Sequence, residues 1–237
     1  MVTRTITVAL AFGLASLASS CAAPSAARVG RAKSAVQKAE RARNRGEPNR
    51  ALHILESARA ECGTEKVCLA GLFVALGEHA QATGDPRTAL TQYEKALALW
   101  REVGDRRGEA KALNGIGKVH DALGQKQKAL EYYEIALLIA HEVGNRRGEA
   151  ETLSNIGSVY DDLGEKQKAL EYYQRALPAL HEMGDRRGEA ETLIDIGSVY
   201  DDLGEKQKAL EYYERALPAL HEVGDRLQLQ GPPGRAA

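Results

Sequence analysis

Large rings are scarce in this 237-residue chain, where two Phe, one Trp and nine Tyr make up five per cent of the residues. A single globular core leans on such side chains. Their shortage suits a fold in which Ala and Leu interfaces between neighbouring elements replace one central core. An excess of charge of either sign is also lacking: the formal net charge is −1, so no bulk electrostatic argument favours nucleic acid. The apolar run from Ile6 to Leu17 is too short to span a bilayer. Cysteine is limited to Cys21, Cys62 and Cys68, without CxxC spacing or a nearby histidine cluster, which argues against a metal or redox framework.

What the chain does have is repetition. The forty residues from Gly148 to Arg187 recur from Gly188 to Leu227 with five differences: Ser154/Ile194, Asn155/Asp195, Gln174/Glu214, Met183/Val223 and Arg187/Leu227. A looser copy runs from Gly108 to Arg147. A fixed period of this length means stacked supersecondary units. Within one copy, Leu153, Ile156, Tyr160 and Leu163 recur at helical spacing with Gly157 beside them, while Glu151, Ser154, Ser158, Asp161 and Asp162 fall on the opposite face. Gly164 stops this helix. A second stripe follows in Ala169, Leu170, Tyr173, Ala176, Leu177 and Leu180, and Gly184 ends it, with Asp185 placed to cap the next helix. Gly84-Asp85-Pro86 states the junction most plainly as stop, N-cap and first-turn proline. Pro178 and Pro218 lie inside the second helices and should bend them. Each unit is a helical hairpin, in which Gly157 and Ala169 leave room for close approach of two helix backbones.

The series Ile156, Gly157, Tyr160, Gly164, Ala169, Tyr173, Ala176 resembles the tetratricopeptide repeat family. The same places hold Ile196, Gly197, Tyr200, Gly204, Ala209, Tyr213 and Ala216, and more loosely Ile116, Gly117, His120, Gly124, Ala129, Tyr133 and Ala136. Leu76, Gly77, Ala80, Gly84, Ala89, Tyr93 and Ala96 form an earlier copy, and Ala39, Gly46, Ala51 and Ala58 a degenerate first one. The period of forty departs from the usual thirty-four and is similar to the longer variety found in signalling adaptors. The resemblance implies an all-α, right-handed α-solenoid of about five hairpins, near 34–62, 69–103, 108–143, 148–183 and 188–223, within a repeat domain spanning 34–226. It also implies a non-enzymatic scaffold that binds an extended or helical segment of another protein on its concave face, without a cofactor.

Residues 1–20 read as a signal peptide: Arg4, then the apolar run, then Ala18-Ser19-Ser20 before Cys21. Leu-Ala-Ser-Ser-Cys resembles a bacterial lipoprotein cleavage site, which would make Cys21 the lipid attachment point and place the protein in the cell envelope, facing the periplasm or exported. Leu17 sits four residues before the cysteine, one more than that family's habit, and an ordinary secretory signal is the rival reading. Residues 21–33 would then be a linker. Between 22 and 50 lie eight Lys or Arg against Glu40 and Glu47. They suit either an anionic lipid surface or a solvated first hairpin. Cys62 and Cys68 form an even pair around a short turn, expected as a disulfide contributing about 2 kcal/mol. Residues 227–237 read as a disordered tail, leaving Leu210, Tyr213, Leu217 and Leu220 without a following helix.

No catalytic constellation stands out. His141, His181 and His221 repeat near helix C-termini, where imidazole suits the dipole. Stacked helices lie about 8–10 Å apart, too far for shared metal ligation. In Tyr132-Tyr133, Tyr172-Tyr173 and Tyr212-Tyr213 the second ring falls at the packing position, which favours core over base stacking. By the resemblance, the binding groove takes Lys111, Asn114, Lys118, Glu151, Ser154, Ser158, Asp161, Asp162, Glu191, Ser198, Asp201 and Asp202. It should turn acidic toward the C-terminus and prefer a basic segment. Two other readings stand beside the scaffold: self-assembly into a homo-oligomer through the last hairpin, and a truncated piece of a larger sensor or regulator.

Overall fold

The computed structural model describes the backbone of residues 11–229 and the side chains of residues 26–222, with residue 224. Ten α-helices account for the described residues: α1 Ala11–Asn44, α2 Pro48–Cys62, α3 Lys66–Ala82, α4 Pro86–Val103, α5 Arg106–Ala122, α6 Lys126–Glu142, α7 Arg146–Asp162, α8 Lys166–Glu182, α9 Arg186–Asp202 and α10 Lys206–Leu229. They pair as consecutive hairpins whose turns fall where the glycines predict. Gly144 and Gly164, for example, take φ of 62° and 74°, the left-handed cap that a side chain would resist. At the starts, Asp85, Asn145 and Asp185 each accept a hydrogen bond from the backbone N–H three residues on. Pro178 and Pro218 are carried inside α8 and α10.

The chain divides after Gly108 into two compact units. In the first, α1 packs on α2 and α3, and α3 on α4. Its core is small-residue rich: Ala32, Ala39, Ala42, Ala51 and Ala58 surround Leu55, Leu72 and Leu76. Side chains of α1 from Val29 onward take part, so the helix packs ahead of residue 34. Cys62 and Cys68, both buried, are joined by a disulfide with their Cα atoms 5.7 Å apart, tying the end of α2 to the start of α3. Residues 1–10 and 230–237 lie outside the described residues, as does the side chain of Cys21.

The second unit stacks α7 on α6, α8 on α7, α9 on α8 and α10 on α9. Its packing rests on one repeated device. A Cβ added at Gly117 would lie 2.5 Å from Tyr133 Cε1, and one at Gly157 would lie 2.8 Å from Tyr173 Cδ1. The room left by each glycine is filled by a tyrosine ring of the partner helix, not by backbone–backbone approach as the small residues alone suggest. Tyr133 and Tyr173 are almost wholly buried there. Leu163 corrects the stripe in the other direction: it follows the last residue of α7 as its C-cap, where the helix face has run out, and is 46% exposed. The outer rings form a second row, with Tyr160 stacked on Tyr172 and Tyr200 on Tyr212.

Gly117→Ala should therefore lower stability by about 1–3 kcal/mol through overpacking against the pinned ring, despite alanine's better helix propensity. Gly71→Ala, at a helical site with nothing within 4 Å of the added carbon, should instead gain about 0.5–1 kcal/mol. Denaturant midpoints of the two variants check the pair, and a destabilised Gly71→Ala beside a neutral Gly117→Ala would refute the ring-in-glycine account.

Candidate functional site

Along the second unit, the first helices α5, α7 and α9 present one polar strip. Asn114 of α5 is buried and holds it together: its Nδ2 donates to Glu151 Oε1 (3.1 Å), and its Oδ1 accepts from Asn155 Nδ2 (3.0 Å) and Thr152 Oγ1 (3.4 Å). Lys118 donates to the same Glu151 oxygen at 2.6 Å. One repeat further, Ser154 exchanges a hydrogen bond with buried Thr192 at 3.3 Å.

A cleft of about 480 Å³ opens on this strip. Lys118, Glu151, Ser154, Ser158 and Glu191 line it, as the sequence reading places them. Asn114 lies behind the lining with its amide committed to Glu151, Asn155 and Thr152, and Lys111 and the exposed Ser198 are outside it. Asp161, Asp162, Asp201 and Asp202 are not in the cleft either. They sit at the C-terminal ends of α7 and α9, where the tight turn brings a lysine back beneath them. Lys166 spans Asp161 (2.7 Å) and Asp202 (2.6 Å), Lys126 spans Asp121 (2.7 Å) and Asp162, and Lys206 meets Asp201 at 2.6 Å. The hydrogen bonds that Lys166 donates to Asp161 and Asp202 raise its pKa above the ordinary value. This ladder of rungs neutralises the strip that was expected to be acidic. His141 and His181 are likewise occupied, with His141 Nδ1 3.0 Å from Glu149 and His181 Nδ1 2.8 Å from Glu189. No group of three or more His, Cys, Asp or Glu side chains suited to a metal occurs among the described residues.

The residues that sequence reasoning missed are Arg147, Asn155, Asp185, Arg187, Thr192 and Asp195. Three cations and four carboxylates line the cleft. Lys118 pairs with Glu151 (2.6 Å), Arg147 with Asp185 (3.5 Å) and Arg187 with Glu191 (2.8 Å). Asp195 is left over, half-buried and without a hydrogen bond or ion pair among the described residues. The register explains why. Asn155 reaches back to Asn114 on α5, the first helix of the preceding hairpin, but the equivalent partner for Asp195 is Ser154, whose hydroxyl is turned to Thr192. Burial, with the charges of Glu191 and Asp161, pushes the Asp195 pKa up from 3.8 to about 6. Burial also holds the neighbouring Tyr173 phenol well above its usual range, despite a hydrogen bond from Ser158. Of the five positions separating the two near-identical repeats, Ser154, Asn155/Asp195 and Arg187 all border this cleft. The signal was in that list of differences.

A carboxyl whose folded pKa is raised binds its proton more tightly in the folded state. Its contribution to stability is complete below about pH 4 and lost as pH rises through about 6. Asp195→Asn, which installs the residue the preceding repeat already carries, should raise stability at neutral pH by on the order of 1–2 kcal/mol after discounting for solvent screening. The gain should vanish near pH 4, and unfolding midpoints of both proteins across that range check it.

Family models described as tetratricopeptide repeat match residues 68–137 and 127–182, residues 190–217 and residues 20–98. No curated protein matches the chain in sequence. Among solved structures, BtubC (BKLC) from P. vanneervenii is 21% identical with a TM-score of 0.64, covering 90% of this chain and 96% of that one. A putative kinesin light chain from Podosopora anserina with nearly identical repeats is 18% identical with a TM-score of 0.62, covering 85% and 98%. PilF of Pseudomonas aeruginosa is 20% identical with a TM-score of 0.62, covering 81% and 78%. At these identities the likeness is one of fold. With the repeat models covering most of the chain and the hairpins, glycine caps and ring packing in place, the chain belongs to the tetratricopeptide repeat family.

Proposed function

We propose that the protein is an interaction scaffold of the bacterial cell envelope, held to a membrane by a lipid on Cys21 and docking a segment of another protein along α7 and α9. The observation that carries the docking reading is the cleft of about 480 Å³ on the first-helix strip, in the size range of specific sites, about 300–1,000 Å³. Tetratricopeptide repeat proteins generally bind other proteins, and nothing in the cleft assembles a nucleophile with a base. The envelope reading rests on the signal-type run and Ala-Ser-Ser-Cys at residues 18–21. No described helix is long and apolar enough to cross a membrane; in this reading the anchor is a covalent lipid.

A second reading draws on α10. Leu210 and Leu217 are each 51% exposed and Leu220 42%, whereas Leu170 and Leu180, their counterparts to Leu210 and Leu220 one repeat earlier, are buried beneath the next hairpin. Exposed apolar area of this kind is the mark of an interface, and self-association through it would make the scaffold an assembling one.

A photo-crosslinking side chain placed at Ser158 should capture a partner in intact cells, while the same group at Glu171, on the exposed side of α8, should not. Equal capture at both sites would remove the cleft as the docking surface. Separately, Cys21→Ser should move the protein from the membrane to the soluble fraction. Retention there, with no acyl mass on the wild-type protein, would remove the anchor.

A further inference from the structure

The charge inventory of the cleft commits it to one kind of ligand group. Every cation lining it already has a carboxylate partner, so an anionic ligand would have to break a pair at 2.6–3.5 Å before it could bind. Asp195 alone has no counter-charge. Around it stand Glu191 on its own helix, Asp161 and Glu151 on α7, the phenol of Tyr173 on α8, and Asp185 at the turn before α9. The pairs Lys118–Glu151, Arg147–Asp185, Arg187–Glu191 and Lys166–Asp161 balance within themselves, which leaves the Asp195 carboxyl as the one uncompensated acid of the cleft, with Glu191 and Asp161 the charges that act on it most. A divalent metal ion would ask for about six or more oxygen ligands, and one spare carboxylate does not supply them. A single organic cation with an aliphatic stem fits better: Leu180 provides an apolar wall in the same cleft, and Ser154 and Ser158 provide hydroxyl acceptors at its side.

We propose that the cleft seats a lysine or arginine side chain of the docked protein segment, with Asp195 as its counter-ion. The proposal rests on the reading of the cleft as the docking surface and adds the chemistry of what enters it. The specificity is local to the last boundary between repeats, since position 155 carries an amide where position 195 carries the acid, and in that earlier position the amide is spent on Asn114. A cation arriving at Asp195 restores the charge balance that burial disturbs and displaces the proton that the raised pKa retains. Binding should accordingly release a proton below about pH 6 and tighten as pH rises through that value.

The test uses a phage-displayed library of random linear peptides selected on the full-length protein, with Asp195→Asn as the comparison. That variant folds on the pattern its neighbouring repeat already provides, and equal unfolding midpoints near pH 4 check that it does. The expected outcome is enrichment of peptides with Arg or Lys at a fixed place. Their affinity should fall roughly tenfold in Asp195→Asn, or about 1.4 kcal/mol, and when citrulline replaces arginine. It should also rise between about pH 5 and about pH 7.5 in the wild type only. Selected peptides that crosslink to residue 158 but show no basic preference and bind both proteins alike overturn the role of Asp195 and leave the docking surface standing. A selection that yields no peptide crosslinking at residue 158 overturns both.

Discussion

The seating of a tyrosine ring in the space left by a glycine is the constraint from which the second unit follows. Tyr133 over Gly117, Tyr173 over Gly157 and Tyr213 over Gly197 fix how closely the two helices of each hairpin lie. That separation sets the register in which Ala169, Leu170 and Tyr173 meet Ile196 and Val199 of the next hairpin. A solenoid has no central core to average out errors, because each repeat answers only to its neighbours. A one-atom intrusion at the ring would propagate into the next interface. The scarcity of aromatics in the sequence is therefore no weakness, since the few rings present stand at the positions that decide spacing.

Polar chemistry is divided between two sides of the same helices. At their C-terminal ends, lysines bridge the aspartates of successive hairpins, each rung worth about 0–1 kcal/mol because it is partly solvated. On the strip further along, Asn114, Glu151, Thr152 and Asn155 link α5 to α7 through a network anchored on the buried Asn114 and Thr152. The same positions one repeat later cannot repeat the network, because Ser154 replaces the asparagine. The periodic solution fails there: an unpaired carboxylate and an open cleft occupy the place of a completed link.

Hairpin boundaries were legible in the sequence because a left-handed cap leaves a glycine, an Asp or Asn cap precedes α5, α7 and α9, and both recur every forty residues. The packing stripe was legible for the same reason up to the helix end, and it failed at Leu163, where periodicity continues in the sequence after the helix has stopped. The site was only half legible. Periodicity assigns Asp161 and Asp162 to the open face, but it says nothing of Lys166, five residues on and across a turn, which returns to claim Asp161. It places Asn114 on the outer side, yet that residue is buried because α7 lies over it, a fact of stacking and not of its own helix. Asp195 was visible as a difference between copies. Its meaning depended on knowing that residue 154 had turned to another partner.

The rungs have an implication for how such a chain changes over generations. Each of the two near-identical copies carries both halves of the device, a lysine at the head of its second helix and two aspartates at the tail of its first. Lys166 holds one aspartate from its own hairpin and one from the next. Unequal crossing-over between the near-identical stretches would add or delete whole forty-residue units and re-form every rung and every ring-on-glycine contact at the new joint. The array is thus adjustable in length by recombination without passing through a misfolded intermediate. The few positions that distinguish the copies, residue 195 foremost, are what would be lost if the copies were homogenised.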